Sequence, residues 1–499
     1  MDVFKSGSAD LRRELRLFNF PFSLEFGGSR REQDRDIRRR NENWTYNGLG
    51  GDRAPTPFLS PVYKNQYHYY GFTNFPQISP KIAWAEFQKN PALFSKTAAQ
   101  LRAEELFRIT NSFDFREVVS AGYVQTEFRL FQDRLRVLTG VRYEKTDDTA
   151  SGPLVDPAAV WQRNADGTFL RNAAGARIRK PEAGAAASLQ ELGLTHQERA
   201  TDAARSYDGR YPSLHFTYSL SDQLIVRAAY AKTYGRPDFT DILPNAQVDE
   251  ADLDGDQVGN PAVVQGNITV TNPGLLPWSA DNYDLSLEYY TKKGGLFSVG
   301  AFQKSIQNFF GNVVKLANLA DTEEFGLDPR YVGWRVSTKI NAGDARVSGI
   351  EFNVRQSLAG LTPWGRHFTA FANGTKLKLE GSSAAAFNNF TPESLNAGLT
   401  YSRRAFMLMA KWNYRGKRRL GALPALGPDA YEYHDHYKSV DVNAEYQLRK
   451  GLSLYLSASD VFNAAKVTQR YGSDTPDYAK RYLTDHKGVS LSAGLKGSF

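Results

Sequence analysis

VSLSAGLKGSF, residues 489–499, is the stretch that decides the fold class. Apolar side chains occupy alternate positions from Val489 to Leu495, Phe499 ends the chain in the same phase, and small or polar residues fill the positions between. A period of two sends the two sets to opposite faces of an extended strand. We therefore predict a β-strand with one apolar face, although a strand of a water-soluble sandwich would also satisfy this pattern.

The same alternation recurs along most of the chain, and we count about fifteen predicted strands. The clearest are 22–26, 119–130, 135–146, 214–218, 224–230, 283–290, 297–301, 350–355, 368–376, 394–401, 405–414, 440–448 and 452–458. Their apolar sets avoid charge, while the opposite sets contain Asp, Glu, Arg and Asn. The poorest segment is 11–18, because Arg13 falls in phase with three leucines.

The connections between these strands alternate between short and long. Short turns are predicted near 132, 221, 293, 362, 403 and 450, whereas 30–116 and 147–210 are predicted to be long loops, the first with helices near 81–88 and 97–107. Short turns at one rim and long loops at the other are typical of a transmembrane antiparallel β-barrel with long extracellular loops. Charged residues on the second face suit a wet or plugged lumen.

The composition is compatible with such a barrel. The 499 residues include 26 Tyr, 31 Phe and 41 Gly, and the mean hydropathy is -0.49. An uninterrupted apolar run of about 18 residues, as a membrane-spanning helix requires, is absent. Barrel strands need only about 10 residues with every second one apolar, and Tyr and Phe suit interfacial girdles. The lack of Cys excludes a disulfide framework and a thiolate metal site.

The start of the chain and its charge narrow the function further. No signal-peptide core is visible in the first residues. The net charge is +8, but the basic residues are dispersed, and the dense run 30–40 contains three carboxylates. We predict mainly a solvated strand end or loop there, with contact to anionic lipid head groups or polyanions as the functional alternative, and no nucleic-acid partner.

Several stretches resemble the barrel of TonB-dependent outer-membrane receptors. They are YPSLHFTYSLSDQLIVRAAYAKTYGRPDF (211–239), NPGLLPWSADNYDLSLEYYTKKGGLFSVGAFQKSIQNFF (272–310), VSGIEFNVRQSL (347–358), AGYVQTEFRLFQDRLRVLTGVRYEKT (121–146) and SDVFNAA (459–465). Their order and spacing over most of the chain carry the resemblance. Five residues in these pieces have expected structural roles at strand exits or in the girdle: Arg236, Pro237, Asn272, Pro273 and Trp278.

The resemblance implies an outer-membrane receptor that takes up a scarce ligand of the siderophore, cobalamin-like or glycan class. Energy would come from the TonB complex through a plug domain. It also implies contact with outer-membrane lipid and lipopolysaccharide, and a terminal signal, Leu495 and Phe499, read by the barrel-insertion machinery.

The chain departs from this family in two respects. In this family a plug domain precedes a barrel of about 22 strands along the chain. Residues 1–499 are therefore expected to be one barrel domain that lacks the plug and the first strands. A gene fragment, a split gene or a degenerate copy would explain this. The alternatives are a passive porin of about 16 strands and a soluble all-β binding protein, which would stay in aqueous buffer where a barrel needs detergent.

No sequence motif nominates a catalyst, so no enzymatic activity is predicted. In the loop DEADLDGDQVGN, Asp252, Asp254 and Asp256 alternate around a glycine, which resembles the start of a calcium loop without its closing Glu. The alternative is an acidic surface loop. A second cluster, 434–436, contains His434, Asp435 and His436 and is a weaker candidate for a transition metal than for plain polar surface. No other cofactor is predicted.

Overall fold

The computed structural model describes residues 1–17, 20–62, 76–260, 262–381, 389–423, 426–427 and 429–498. In chain order, the strands of the first half are β1 (Asp2–Leu17), β2 (Phe20–Arg38), β3 (Thr45–Tyr46), β4 (Phe94–Ser95), β5 (Ser112–Leu130), β6 (Leu135–Val155), β7 (His196–Ser219), β8 (Leu224–Gly235), β9 (Ala246–Glu250), β10 (Gly266–Val270) and β11 (Trp278–Tyr290).

The strands of the second half are β12 (Leu296–Leu316), β13 (Arg335–Ser357), β14 (Phe368–Gly381), β15 (Glu393–Arg403), β16 (Phe406–Arg415), β17 (Arg418–Ala422), β18 (Tyr431–His434), β19 (Tyr437–Arg449), β20 (Leu452–Ser459), β21 (Lys466–Tyr471), β22 (Arg481–Asp485) and β23 (Ser490–Gly497). The α-helices are α1 (Pro80–Lys89), α2 (Ala98–Thr110), α3 (Leu189–Thr195), α4 (Phe239–Ile242) and α5 (Leu319–Phe325).

One antiparallel wall dominates the described residues. It contains fifteen strands that pair in the order β1, β2, β5, β6, β7, β8, β11, β12, β13, β14, β15, β16, β19, β20 and β23. Neighbouring strands are consecutive along the chain except where β3 and β4, β9 and β10, or β17, β18, β21 and β22 intervene. Short turns therefore gather at one rim of the wall, here the short-turn rim, and long connections at the other, the long-loop rim.

The pairing register confirms the two faces predicted from the alternation. Val442 lies opposite Ala458, which lies opposite Leu491, so three strands present apolar side chains at one level. The next positions, Asn443, Ser457 and Ser492, carry polar side chains to the other face. At the end of the chain β23 is a strand as predicted, with Leu495 opposite Leu454 on the apolar face; Phe499 lies outside the described residues.

The wall strands are much longer than the sequence predicts. β2 runs through most of the basic segment to Arg38, β5 begins at Ser112, and β6 and β7 reach Val155 and His196. The prediction that 30–116 and 147–210 are loops throughout is therefore wrong at their ends. Towards the long-loop rim both faces of a strand carry polar residues, so the period-two signal is lost although the ladder continues. β1 is likewise a full strand despite its poor alternation, with Arg13 opposite Leu24.

The two predicted helices in the first long connection are confirmed as α1 and α2. Ser79 accepts from the backbone amide of Ile82 and Pro80 occupies the first turn of α1, a favourable place for proline. Thr97 and Gln100 form a reciprocal capping box at the start of α2. None of the helices in the described part of the chain has the length and apolarity that crossing a membrane requires.

A hairpin of β9 and β10 ties together two wall strands that are not neighbours. β9 pairs in parallel with the end of β6, at Leu154 and Ala246, and β10 pairs in parallel with the start of β13, at Ile268 and Val336. With β7, β8, β11 and β12 these strands complete a closed circuit of pairings. The largest buried apolar cluster packs around the hairpin and includes Val248, Ile268, Phe325 and Val336.

The last four wall strands continue beyond the long-loop rim as a smaller sheet in the order β17, β18, β21, β22. β17 follows β16, β18 precedes β19, β21 follows β20 and β22 precedes β23. Arg415 pairs with Tyr437 at the top of the wall, and Arg418 pairs with His434 in the extension. The register of the β16–β19 ladder is thus kept across the break.

The two ends of the wall run in the same direction. β1 and β23 both descend towards the short-turn rim, because β1 leads into the short connection to β2 and β23 follows the long connection from β20. Among the described strands, β1 pairs with β2 and β23 pairs with β20. No pairing joins β1 to β23 within the described residues.

Candidate functional site

A cluster of buried carboxylates and arginines lies on the polar face at the point where β8 ends. Arg236, just beyond β8, donates to the Oε1 atom of Glu117 on β5 at 3.0 Å and to the Oε1 atom of Glu144 on β6 at 2.5 Å. Arg31 is 2.8 Å from Glu117 and Arg142 is 2.8 Å from Glu144. The two glutamate side chains are only 6% and 7% exposed, so the arginines compensate charges that water hardly reaches.

A cavity of about 570 Å³ lies beside this cluster. Its lining residues include Arg31, Arg142 and Arg236 together with Tyr234 and Ser29. Tyr234 also donates to Glu144. Arg236, which the sequence suggested only as a structural residue at a strand exit, thus joins three elements and forms one wall of a polar cavity.

The connection that starts at Arg236 folds inward over the polar face. Phe239 of α4 packs edge-on against Phe115 of β5, with ring centroids 4.8 Å apart, and the guanidinium of Arg35 on β2 lies 4.4 Å from its ring. On the far side, Lys339 of β13 donates to Asp241 at 2.6 Å. A segment that touches both β2 and β13 must cross the space that the curved wall encloses. The polar face is therefore the inner face.

The inward connection is packed as a core. Ile242, Leu243 and Leu275 are at most 9% exposed and cluster with Phe115, and Asn272 is 2% exposed. The amide of Asn272 donates to the Lys339 carbonyl at 3.0 Å and its Oδ1 accepts from the Gly274 amide at 2.7 Å. Asn272 and Pro273, predicted to be structural, thus lie where the connection turns inside the wall.

Trp278 begins β11 and packs on a glycine. A Cβ atom added to Gly235, its partner on β8, would lie 2.2 Å from the indole ring, so this contact requires glycine. The indole also packs against Ala280, Ile306 and Ala345. Trp278 therefore stabilises the top of the wall, and its predicted place in an interfacial girdle stays a prediction.

The acidic loop after β9 contacts a small meander, residues 161–179, which stands on the long-loop rim and whose three short segments are joined by isolated bridges. Bridges join Trp161 to Arg179, Arg163 to Phe169 and Arg171 to Arg177 within the meander. Asp252 forms ion pairs with Arg171 and Arg177, the latter at 2.9 Å. Hydrogen bonding from Arg171, and then from Arg177, lowers the pKa of the Asp252 carboxyl.

The three aspartates proposed for calcium do not share one partner in the structure. Asp252 is engaged by the two arginines, and Asp254 accepts from the backbone amide of Gln257 through its own carbonyl at 2.9 Å. Within the described residues no three His, Asp or Glu side chains are grouped so that they could hold a metal ion. The calcium site at Asp252, Asp254 and Asp256 stays a prediction, and ion pairing is the role that the structure gives to the first of them.

A cavity of about 560 Å³ opens between the meander, the acidic loop and residues 330–334. Arg163, which pairs with Glu250, and Arg330, whose guanidinium lies 4.7 Å from the ring of Tyr331, contribute charge to its lining. Phe169 and Trp334 contribute apolar surface. We call this space the crown cavity, and its lining mixes aromatic and charged residues as small-molecule sites do.

The histidine cluster at 434–436 is dispersed among different partners. Arg418 lies 2.8 Å from the Nδ1 atom of His434, Asp435 accepts from Gln469 at 3.1 Å, and the Nδ1 atom of His436 is 3.0 Å from the hydroxyl of Tyr414. Burial, and then the charge of Arg418, lowers the pKa of His434. Among the described residues, the side chains of this cluster are therefore not grouped with others so that three of them could hold a transition metal.

Half of the six arginines in the dense basic run form ion pairs among the described residues. Arg31, Arg35 and Arg38 form ion pairs with Glu117, Asp2 and Asp36. Sequence reasoning placed this run at a strand end or loop but missed Glu117 and Asp2, which lie on β5 and β1, whereas Asp36 belongs to the run itself. It also missed a basic segment of the extension, residues 415–419, which is described below.

Residues 2–461 match the family model described as TonB dependent receptor-like, beta-barrel. No curated protein matches the chain.

Among solved structures the chain is similar to the copper transporter OprC, with 12% identity, a TM-score of 0.51 and coverage of 99% of this chain and 57% of that chain. It is similar to the closed form of the ferric-catecholate import receptor Fiu from E. coli K12, with 13% identity, a TM-score of 0.54 and coverage of 99% and 54%. For the unliganded ferric citrate transporter FecA the values are 11%, 0.52, 99% and 55%. These likenesses concern the fold, and the chain spans a little over half the length of each.

Proposed function

The chain belongs to the TonB-dependent receptor-like β-barrel family. We therefore propose that it forms the barrel wall of a bacterial outer-membrane receptor for a scarce small molecule, and that the connections at the long-loop rim, here called the crown, capture this ligand. Proteins of this family are outer-membrane receptors and transporters, so the chain is not an enzyme. The ligand classes proposed are siderophores, cobalamin-like molecules and glycans. Metal chelates are to be tested first, since the similar structures are named for copper, ferric catecholates and ferric citrate.

The observation that carries this proposal is the inward connection from Arg236 to Leu275. It fills part of the enclosed space with a packed core that includes Leu243, and it leaves polar cavities beside the wall and in the crown. A passive porin needs an open lumen, and a soluble sandwich needs a dry interior between its sheets. Charged inner and apolar outer faces with a filled interior favour a gated receptor over both alternatives.

We further propose that the plug and additional barrel strands come from polypeptide outside this chain. β1 and β23 run the same way, so antiparallel closure between them needs an odd number of further strands. Unpaired backbone groups of an edge strand are costly in lipid. Uptake driven by TonB then requires that plug, and liposomes containing this polypeptide alone should show no TonB-dependent uptake.

The proposed location in the outer membrane also implies partners for the two faces and ends of the wall. The apolar face would contact outer-membrane lipid, the long-loop rim would face lipopolysaccharide, and Leu495 with Phe499 would be part of the signal read by the insertion machinery. Calcium binding by Asp252, Asp254 and Asp256 remains part of the proposal: added Ca²⁺ should raise the thermal midpoint of the protein, and a chelator should reverse the gain.

Two measurements test the function. First, the protein should need detergent for extraction and should partition with outer membranes; recovery in aqueous buffer would reject the membrane role. Second, ferric siderophores should quench tryptophan fluorescence of the detergent-solubilised protein, and Arg330→Gln in the crown cavity should weaken this binding. The matched control is Arg404→Gln at the short-turn rim. Steady open conductance in a planar bilayer would instead support a porin.

A further inference from the structure

The extension sheet beyond the long-loop rim has two different faces. Tyr431 lies opposite Tyr471, and Arg419 lies opposite Tyr433, so these four side chains share one face. Glu432 and Arg470 pair on the other face. Side chains alternate along a strand, so each residue's phase assigns its face.

The face with the tyrosines continues the inner face of the wall. On β16, Tyr414 lies in phase with Leu408 and Trp412 on the apolar face. The unchanged register between Arg415–Tyr437 and Arg418–His434 carries the same phase into the extension. His436, which stacks on Tyr414, keeps to this apolar-face phase. Even-numbered positions of the extension therefore continue the apolar outer face. Tyr431 and Tyr433 occupy odd positions, and Tyr471 lies opposite Tyr431, so these three tyrosines face inward over the mouth of the wall.

Cations lie on these tyrosine rings. Tyr433 and Tyr471 stack with centroids 4.3 Å apart. The Nζ atom of Lys417 lies 4.7 Å from the Tyr471 centroid and 5.1 Å from that of Tyr433, and the guanidinium of Arg419 lies 4.5 Å from Tyr431. Contact with an aromatic face holds a cation in place without neutralising it.

Within the part of the chain that the structure describes, the two cations form no direct ion pair with a carboxylate. Lys417 donates to the neutral amide of Gln469 at 2.7 Å, and neither Lys417 nor Arg419 forms an ion pair among the described residues. Glu432 pairs with Arg470 on the opposite face. Asp435 accepts from the same Gln469 side chain at 3.1 Å, so this face carries the two cations against one nearby carboxylate. Such an excess of positive charge raises the local concentration of anions.

We propose that this tyrosine–lysine face, formed by Lys417, Arg419, Tyr431, Tyr433 and Tyr471, is a binding site for a soluble polyvalent oxyanion. The ammonium and guanidinium groups donate to the oxyanion, and the tyrosine rings fix the position of both cations. Because the face points over the mouth of the wall and away from the apolar outer face, its occupant is a solute rather than a lipid headgroup. This assignment rests on the proposed function only for its role, which is capture of an anionic ligand before uptake.

The test uses the full chain in a zwitterionic detergent and tripolyphosphate as the probe, with binding measured by titration calorimetry at low salt. The wild type should bind, the double variant Lys417→Gln/Arg419→Gln should bind at least about tenfold more weakly, and binding should fall as salt rises. The matched control Arg403→Gln/Arg404→Gln removes two charges at the short-turn rim and should leave the affinity within about twofold.

Two further measurements separate the explanations. Tyr433→Phe should keep the affinity and Tyr433→Leu should reduce it, because the ring and not the hydroxyl holds Lys417. Vesicles of neutral lipid with and without phosphatidic acid distinguish a headgroup from a soluble anion: preference for the phosphatidic acid vesicles over tripolyphosphate overturns the assignment, as does equal loss in the control variant. Detergent extraction tests the receptor role separately, so either idea can fail alone.

Discussion

Replacing Arg236 by methionine tests whether the inner cluster holds the connection against the wall. The change keeps much of the apolar stem and removes two charge-assisted hydrogen bonds, at 3.0 Å to Glu117 and 2.5 Å to Glu144. Each such bond contributes roughly 1.5–3 kcal/mol, and breaking a buried pair costs roughly 3–5 kcal/mol when the remaining charge has no other partner.

Both glutamates keep one arginine, Arg31 or Arg142. We therefore expect Arg236→Met to reduce the free energy of unfolding by about 2–3 kcal/mol, below the range for a fully orphaned charge. A second change should recover part of this loss: Glu144→Gln in the Arg236→Met background removes a buried charge that then has one arginine partner instead of two, and the double variant should be more stable than Arg236→Met alone.

The assay is urea unfolding in detergent micelles, followed by tryptophan fluorescence. Arg129→Met is the matched control, since Arg129 pairs with the 8% exposed Glu127 but is itself 51% exposed, and Arg136 remains as a partner. It should cost less than about 1 kcal/mol. Equal losses for the two variants, or no recovery on adding Glu144→Gln, would refute the assignment of Arg236 as the tie between β5, β6 and the inward connection.

Three other outcomes follow from the geometry. Leu287→Arg on the apolar face should cost about 2–4 kcal/mol and block membrane insertion, whereas Ser286→Arg on the inner face should insert, as judged by heat-modifiable gel mobility; similar mobility of both would contradict the face assignment. Asp252→Asn should speed trypsin cleavage after Arg171 at pH 8, because one anchor of the meander is weakened; an unchanged cleavage rate would reject the anchor. Because the pKa of His434 is lowered in the folded state, its contribution to stability is complete above about pH 6.5 and is lost as the pH falls towards the folded pKa. The thermal midpoint of the wild type should therefore fall relative to that of His434→Gln between pH 7 and pH 5. Parallel curves of midpoint against pH for the two proteins would disprove this role of His434.

The strands that cross the wall were predictable because one physical rule governs them. Where one face meets an apolar medium and the other meets polar groups, alternation is enforced residue by residue, as at Val442, Ala458 and Leu491. The family resemblance over residues 211–239 and 272–310 depended on the same segments. Above that band the rule no longer acts, which is why the strand ends at Arg38 and Val155 were missed.

The site was less accessible to sequence reasoning because its contacts join distant parts of the chain. Arg236 is separated from Glu117 by 119 residues and from Glu144 by 92. The three alternating aspartates at 252–256 were a local pattern that suggested calcium, but the partner of Asp252, Arg171, lies 81 residues earlier. A signal for the extension was present in the cations at 415–419 and the tyrosines at 431 and 433, but only the pairing register shows that they share a face.

The circuit that β9 and β10 close between β6 and β13 affects the order in which the molecule comes apart. An edge strand can fray after losing one ladder, whereas a strand inside the circuit must break ladders on both sides at once. Unfolding should therefore proceed inward from β1 and from β23, and residues 135–357 should open last, as one cooperative unit. Amide protons around Ile268 and Val336 should consequently exchange more slowly with solvent than those of either edge strand, although the hairpin itself is short.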